Sequence, residues 1–260
     1  WSRRIRSLRE ELTEDRLTTR FTGTDDLCAQ LAIALGPGPR VPRPPRFEKL
    51  PASATMDDLV GRTAQLSFLH QCFEDKETAV VAVVGDPGIG KSHLVKVFLD
   101  RLAAKDPPYL GAQWKYAWSF YNQDTNTAEN SSTEFFADAL RHFGFEGYYV
   151  SEEQRAVKLA EVLSSEKTIL VLDGIDPLQA TTAGEDQAGR FQDAAIRKLL
   201  FSLCRASVEQ GFIESLVIVT STASLFDLKE FAEGAYREIP LGPLEEKEGA
   251  ELLGNLLRSP

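Results

Sequence analysis

One stretch limits what this chain can fold into more than any other. Val80 to Ser92 reads VVAVVGDPGIGKS. Val80–Val84 has the unbroken β-branched character of a strand buried on both faces. Gly85, Asp86, Pro87, Gly88, Ile89 and Gly90 form a turn, and Lys91 and Ser92 open a helical pattern with Leu94, Val95, Phe98 and Leu102 on one face. G-x-x-x-x-G-K-S between a strand and a helix is the spacing and context of a phosphate-binding loop. Glycines let the backbone come close to an anion. Loop N–H groups and the helix N-terminus then face the phosphates. Lys91 is placed to bridge the β- and γ-phosphates as a point charge. Ser92 offers its hydroxyl to Mg²⁺, and His93 follows in the first helical turn. A nucleoside triphosphate with Mg²⁺ is therefore the expected ligand.

The rest of the chain alternates strands and helices. Gln113–Phe120 is an aromatic strand, Thr168–Leu172 a β-branched run ending at Asp173, Leu216–Val219 a third buried strand ending in Thr220, Ser221 and Thr222, and Tyr236–Ile239 a short fourth candidate. Leu66, Leu69, His70 and Phe73 share a helix face after Gly61 and Arg62. Ser131 with Glu134 reads as a capping box opening a helix that carries Phe135, Phe136, Leu140 and Phe143, and Ser151 with Gln154 opens another with Val157, Ala160 and Leu163 inward. Phe191–Gln210 and Glu245–Leu257 are further helices, the last with Leu252, Leu253, Leu256 and Leu257 on its inner side. Tyr121–Asn130 reads as a loop, and Ala180–Gly189 as a small, polar, mobile connection. This alternation predicts an α/β fold on a parallel, doubly wound sheet.

Upstream, 2–17 and 27–35 carry helical apolar faces too short to bury themselves, expected to be the tail (1–35) of a preceding domain. The arginines between Ile5, Leu8 and Leu12 read as a solvated helix face. Six prolines between Gly36 and Pro51 make 36–56 a semi-rigid linker. The chain begins at Trp1 rather than Met and ends at Pro260 in a leucine-rich pattern, so a piece of a longer protein is expected.

Composition excludes some classes. With 260 residues, 43% hydrophobic and 26% charged, a folded chain is expected. A net charge of -10 disfavours a broad nucleic-acid or anionic-membrane surface. No apolar run approaches the ~20 residues a spanning helix needs. Cys28, Cys72 and Cys204 are far apart and read as buried apolar residues, which suits a reducing cytoplasm. His70, His93 and His142 have no metal-like spacing.

A phosphate loop needs a carboxylate on the metal side, at the end of another buried strand. Asp173, where Thr168–Leu172 emerges, is the candidate. Asp176 is placed either to orient the attacking water as a base or to cap the turn before Pro177.

Taken in order, LVGR (from Leu59), GDPGIGKS (from Gly85), LVLDGID (from Leu170), VIVTSTASLFDL (from Val217) and IPLGPLEEKEGAELL (from Ile239) resemble the STAND class of P-loop NTPases, the NACHT and NB-ARC signalling ATPases. The likeness covers about 57–257. It implies a three-layer sandwich with sheet order 5-1-4-3-2, a P-loop domain over 57–240 and the start of a helical lid over 241–260. It also implies that Val60, Gly61 and Arg62 lie against adenine and ribose, that Gly85 to Ser92 hold the phosphates, that Asp173 is the magnesium acid and Asp176 the hydrolytic one, and that Thr220, Ser221 and Thr222 form a sensor segment. Related modules often carry an arginine where Thr222 stands, so slow hydrolysis is expected. Trp118–Tyr121, WSFY, resembles a strand of bacterial members, and its aromatics read as core. F-x-G-x-D-D-L at Phe21–Leu27 resembles the end of a TIR-like effector domain. The implied behaviour is an ATP/ADP switch that oligomerises with itself, joining an upstream effector to a downstream sensor of an unknown trigger. An ATP-driven remodeller of nucleic acid or protein and a non-hydrolysing scaffold are the alternatives.

Overall fold

The computed structural model describes residues 43–47, 50, 59–122, 127–128, 131–145, 149–180 and 189–256. Residues 1–40 and 146–148 lie outside these. So do the helices expected over 2–17 and 27–35, Cys28, and most of the expected mobile stretch, 181–188.

Three strands are apolar along nearly their whole length because both of their faces are covered. They are β1 (Val80–Val84), β5 (Thr168–Asp173) and β6 (Leu216–Ser221), and every residue of β5 and β6 is buried. With β2 (Trp114–Ser119) and β7 (Tyr236–Pro240) they form a five-stranded sheet in the order β2-β5-β6-β1-β7. All pairings are parallel, with Val80 opposite Val217 on one side and Tyr236 on the other. Among the five sheet strands this is the expected 5-1-4-3-2 order read from the opposite edge.

Alternate residues of each strand supply two cores. Val81, Val83, Ile169, Val171, Leu216 and Ile218 pack with α1 (Thr63–Glu74) and α2 (Lys91–Ala103). Val80, Ala82, Leu170, Leu172, Val217 and Val219 face α3 (Thr133–His142), α4 (Glu152–Ser165) and α5 (Ala194–Gln210). The result is a helix–sheet–helix sandwich, as the alternation of elements predicts.

Local chemistry sets the helix ends. Asp193 caps α5 by accepting from the Ala195 and Ile196 N–H groups, and Gly211, at φ 76°, terminates it. Ser151 caps α4 through the Gln154 N–H, as expected. The capping box at Ser131 is displaced: Ser132 is the N-cap of α3, and Ser131 Oγ bonds Thr133, accepting from its N–H at 3.3 Å and lying 2.9 Å from its hydroxyl. Only Ser131 has the glutamate three residues on, but Ser132 is buried and its N–H donates to Asp193 Oδ2 at 3.1 Å, which sets the helix start one residue later.

Other expectations are corrected by packing. Val157 is 38% exposed on α4, and Leu253 is 63% exposed on α6 (Glu246–Leu256), so neither faces inward. The long helix opens at Ala194 rather than Phe191, because Phe191 pairs with Gln179 in an isolated bridge. Within the expected loop, β3 (Tyr121–Asn122) pairs antiparallel with β4 (Thr127–Ala128). Part of the expected linker is docked: Arg46 donates its N–H to Lys115 O at 3.1 Å, and its carbonyl accepts from Ala117 N at 2.9 Å, along the free edge of β2. Arg46 Nη1 also reaches Asp138 on α3, at 2.6 Å. Among the described residues no helix is long and apolar enough to cross a membrane.

The sheet-to-α3 core is aromatic. The Phe135 ring is fully buried, with centroids 4.8–6.4 Å from those of Phe136, Phe120, Trp118 and Tyr116. Phe135→Ala is expected to lower unfolding free energy by about 3–5 kcal/mol, measured by urea denaturation.

Candidate nucleotide site

The C-terminal ends of the parallel strands gather the polar residues, which is where α/β folds place ligands. After β1 the chain turns through Gly88 and Gly90, at φ 78° and 97°, and open space borders both. Among the described residues, no backbone acceptor takes the N–H groups of Gly88, Gly90, Lys91 or Ser92. These donors, at the N-terminus of the 13-residue α2, form a cradle for an anion. Asp86 and Pro87 are exposed on the loop and Ile89 is half-buried beneath it. His93 is half-buried in the first turn, without a hydrogen-bond partner among the described residues.

Lys91 is 9% exposed and curls back onto its own loop, donating to Gly85 O at 2.7 Å and Asp86 O at 3.0 Å. Burial pushes its pKa below the ordinary lysine range, against the opposing pull of Asp176, Asp173 and Asp86.

Asp173 ends β5 and is 5% exposed. Its Oδ1 accepts from Ser92 Oγ at 2.5 Å and from Thr220 Oγ1 at 2.8 Å, and its Oδ2 lies 3.4 Å from Ser119 Oγ. Thr220 Oγ1 in turn accepts from Gly174 N at 2.7 Å. Asp176 opens a 3₁₀ turn, Asp176–Leu178, and is tied to the end of β6. Its Oδ1 accepts from Thr222 N at 2.6 Å and Thr222 Oγ1 at 2.5 Å, while Ser221 Oγ, 3.4 Å away, donates better to Gln179 Oε1 at 2.9 Å. Two residues of the expected sensor segment thus divide between the acids, Thr220 holding Asp173 and Thr222 holding Asp176, while Ser221 turns to Gln179.

Arg62, the N-cap of α1, is 7% exposed and donates from Nη2 to Gly242 O at 2.7 Å. Although it stands at a helix start, it is therefore not a surface arginine. Val60 is buried beside it, and the Glu248 carboxylate lies against Gly61. The segment before α1 and the segment opening α6 therefore meet.

Several site residues escape sequence reasoning. Gln179 belongs to no motif, and the motif stretches that contain Ser119 and Glu248 assign neither a role. Tyr121 departs from the expected aromatic core: Trp118 and Phe120 are buried, but Tyr121 is 42% exposed. Its ring covers Gly174, where an added Cβ would lie 2.5 Å from Tyr121 Cδ2, and Gly174 sits at φ 66°. Only glycine meets both demands. Burial, then the charges of Asp176 and Asp173, push the Tyr121 hydroxyl pKa up.

Among the described residues no three His, Cys, Asp or Glu side chains form a self-sufficient metal site. A magnesium ion carried by phosphates needs only one or two protein oxygens. The Ser92 hydroxyl and Asp173 carboxylate, in mutual contact beside free loop N–H groups, fit that requirement.

A parallel sheet in this order, with a phosphate loop after β1 and an acid ending a neighbouring strand, defines a P-loop NTPase fold. A family model described as AAA ATPase domain matches residues 58–219, well over half of the sequence. The chain belongs to this family of nucleotide-binding ATPase domains. No curated protein matches it. A solved structure of the E. coli MS115-1 HORMA:CdnC:Trip13 complex contains a chain 13% identical, with a TM-score of 0.48 over 78% of this chain and 70% of that one. Domain III of the Thermotoga maritima replication initiation protein DnaA is 15% identical, with a TM-score of 0.46 over 82% and 75%. The Aeropyrum pernix ORC1 protein, solved in complex with DNA, is 20% identical, with a TM-score of 0.48 over 77% of this chain and half, 50%, of that one.

Proposed function

We propose that this domain is a nucleotide-operated switch of the STAND type, related to NACHT and NB-ARC modules. It binds ATP or ADP through Val60 to Arg62 and the loop from Gly85 to His93, and hydrolyses ATP slowly. Bound magnesium, held by Ser92 and Asp173, supplies charge neutralisation at the phosphates. Nucleotide exchange biases closed and open states. The open state assembles with further copies of the chain and brings upstream effector domains together, in signalling or antiviral defence.

One observation carries the reading: the Asp176 carboxylate is held by both donors of Thr222, at 2.6 and 2.5 Å. The acid placed to activate water is engaged, and the residue engaging it brings no fixed charge to a γ-phosphate. A site built this way holds triphosphate longer than it consumes it. The contacts of Arg62 with Gly242 and of Glu248 with Gly61 supply a second support, since they tie the expected base-binding segment to the opening of the expected lid.

Membership in the AAA ATPase family favours a second reading, an ATP-driven remodeller of protein or nucleic acid. The two separate in one experiment on the full-length protein. The co-purifying nucleotide is identified, and mass and turnover are measured with ATP, ADP and a non-hydrolysable analogue. A switch changes oligomeric state with nucleotide and turns over slowly. Continuous turnover stimulated by a polymer, with mass unchanged, would sink the switch.

The same contact makes a prediction of its own. Thr222→Ala removes one of the two short hydrogen bonds to Asp176, so phosphate release is expected to rise about ten- to a hundredfold, one charge-assisted bond's worth. Equal or slower release means that Thr222 does not restrain the acid.

A further inference from the structure

We propose that Tyr121 contacts the ligand: its hydroxyl donates a hydrogen bond to the terminal phosphate of a bound nucleoside triphosphate and makes the domain discriminate triphosphate from diphosphate. The proposal rests on the nucleotide reading of the loop and extends it to a residue outside every phosphate-loop motif.

Tyr121 has no packing duty comparable to its neighbours. Trp118 and Phe120 are 3% and 0% exposed, whereas Tyr121 stands 42% exposed at the C-terminal edge of the sheet. Its backbone is nevertheless held firmly against β5. Phe120 N donates to Asp173 O at 2.9 Å, Tyr121 N to Ser119 Oγ at 3.3 Å, and Tyr121–Asn122 pairs with Thr127–Ala128. The ring lies flush over Gly174, between the two acids in sequence, at a position where any Cβ would displace it. An exposed aromatic ring fixed this closely, over a glycine at positive φ, is placed for something other than core filling.

Asp176 and Asp173 act on the hydroxyl as they do on the Lys91 ammonium. Gly174 follows Asp173, whose carboxylate holds Ser92 of the loop at 2.5 Å, so the ring over Gly174 and the loop border one volume. Within it the donors are unevenly committed. The Thr220 hydroxyl is spent on Asp173 and both Thr222 donors on Asp176. Carboxylates cannot donate to phosphate oxygens. The Tyr121 hydroxyl has no hydrogen-bond partner among the described residues, so it is a neutral donor available to a γ-phosphate. A diphosphate lacks the group it would reach.

The test compares the full chain with Tyr121→Phe, which keeps the ring over Gly174 and removes only the hydroxyl. Affinities for ADP and for adenylyl imidodiphosphate are measured calorimetrically with Mg²⁺. The variant is expected to bind the triphosphate analogue about ten- to a hundredfold more weakly, the worth of one charge-assisted hydrogen bond, with ADP affinity unchanged. Unchanged affinity for both overturns the proposal. So does an equal loss for both, which marks a structural role. A parent chain that binds neither ligand overturns the nucleotide reading and this proposal with it, and the parent measurement tells that failure from the others.

Discussion

Lys91→Ala is expected to bind ATP and ADP at least about a hundredfold more weakly than the parent chain while remaining folded. The side chain is nine-tenths buried, and its ammonium already sits among Gly85 O, Asp86 O and three carboxylates, so it is aimed before any ligand arrives. Each charge-assisted hydrogen bond to a phosphate is worth about 1.5–3 kcal/mol, and two such bonds correspond to about two to four orders of magnitude in affinity. Stability responds differently. Removing the amine loses two contacts to loop carbonyls but also relieves a partly desolvated charge, so the two effects oppose each other. Urea midpoints should lie close together while calorimetric titration with either nucleotide goes flat. A variant that binds nucleotide like the parent would mean that the loop is a structural turn.

That prediction was legible in the sequence because its parts are local. Gly85 to Ser92 is contiguous, and strands covered on both faces write themselves as unbroken apolar runs, as in β1, β5 and β6. Asp173 was legible as the first polar residue where such a run ends. Contacts across the sheet edge carry no such mark. Ser119 reaches Asp173 across 54 residues and Thr222 reaches Asp176 across 46, and no spacing connects either pair. Thr222 could be named as a departure from a resemblance, but its hold on Asp176 could not. Tyr121 was misread with Trp118 and Phe120 because composition cannot tell the last aromatic of a buried strand from the first beyond it. Arg46 was misread for the opposite reason: proline-rich composition describes a spacer, yet one backbone bridge and the Asp138 carboxylate dock it. Periodicity failed where it had least to average over, at Val157 and Leu253 on single helical faces.

Asp173→Asn is expected to slow Mg²⁺-dependent ATP hydrolysis by about a hundredfold or more, the scale of removing a main electrostatic support of phosphoryl transfer. The fold should survive. The asparagine carbonyl can still accept from Ser92 and Thr220, and its amide can donate to the Ser119 oxygen, so no buried partner is left without a hydrogen bond. What it cannot do is present a negative oxygen to a cation. The sharper readout is therefore binding rather than rate. In the parent chain Mg²⁺ should tighten the ATP analogue relative to EDTA, and in Asp173→Asn that difference should vanish. Asp176→Asn is the matched comparison, since Asp176 is tied to Thr222 rather than to Ser92. It should keep the Mg²⁺ effect on binding and lose hydrolysis. If Asp176→Asn abolishes the Mg²⁺ effect and Asp173→Asn keeps it, the two acids exchange roles. Ser92 Oγ, 2.5 Å from Asp173, would then be a helix-end contact rather than half of a metal site.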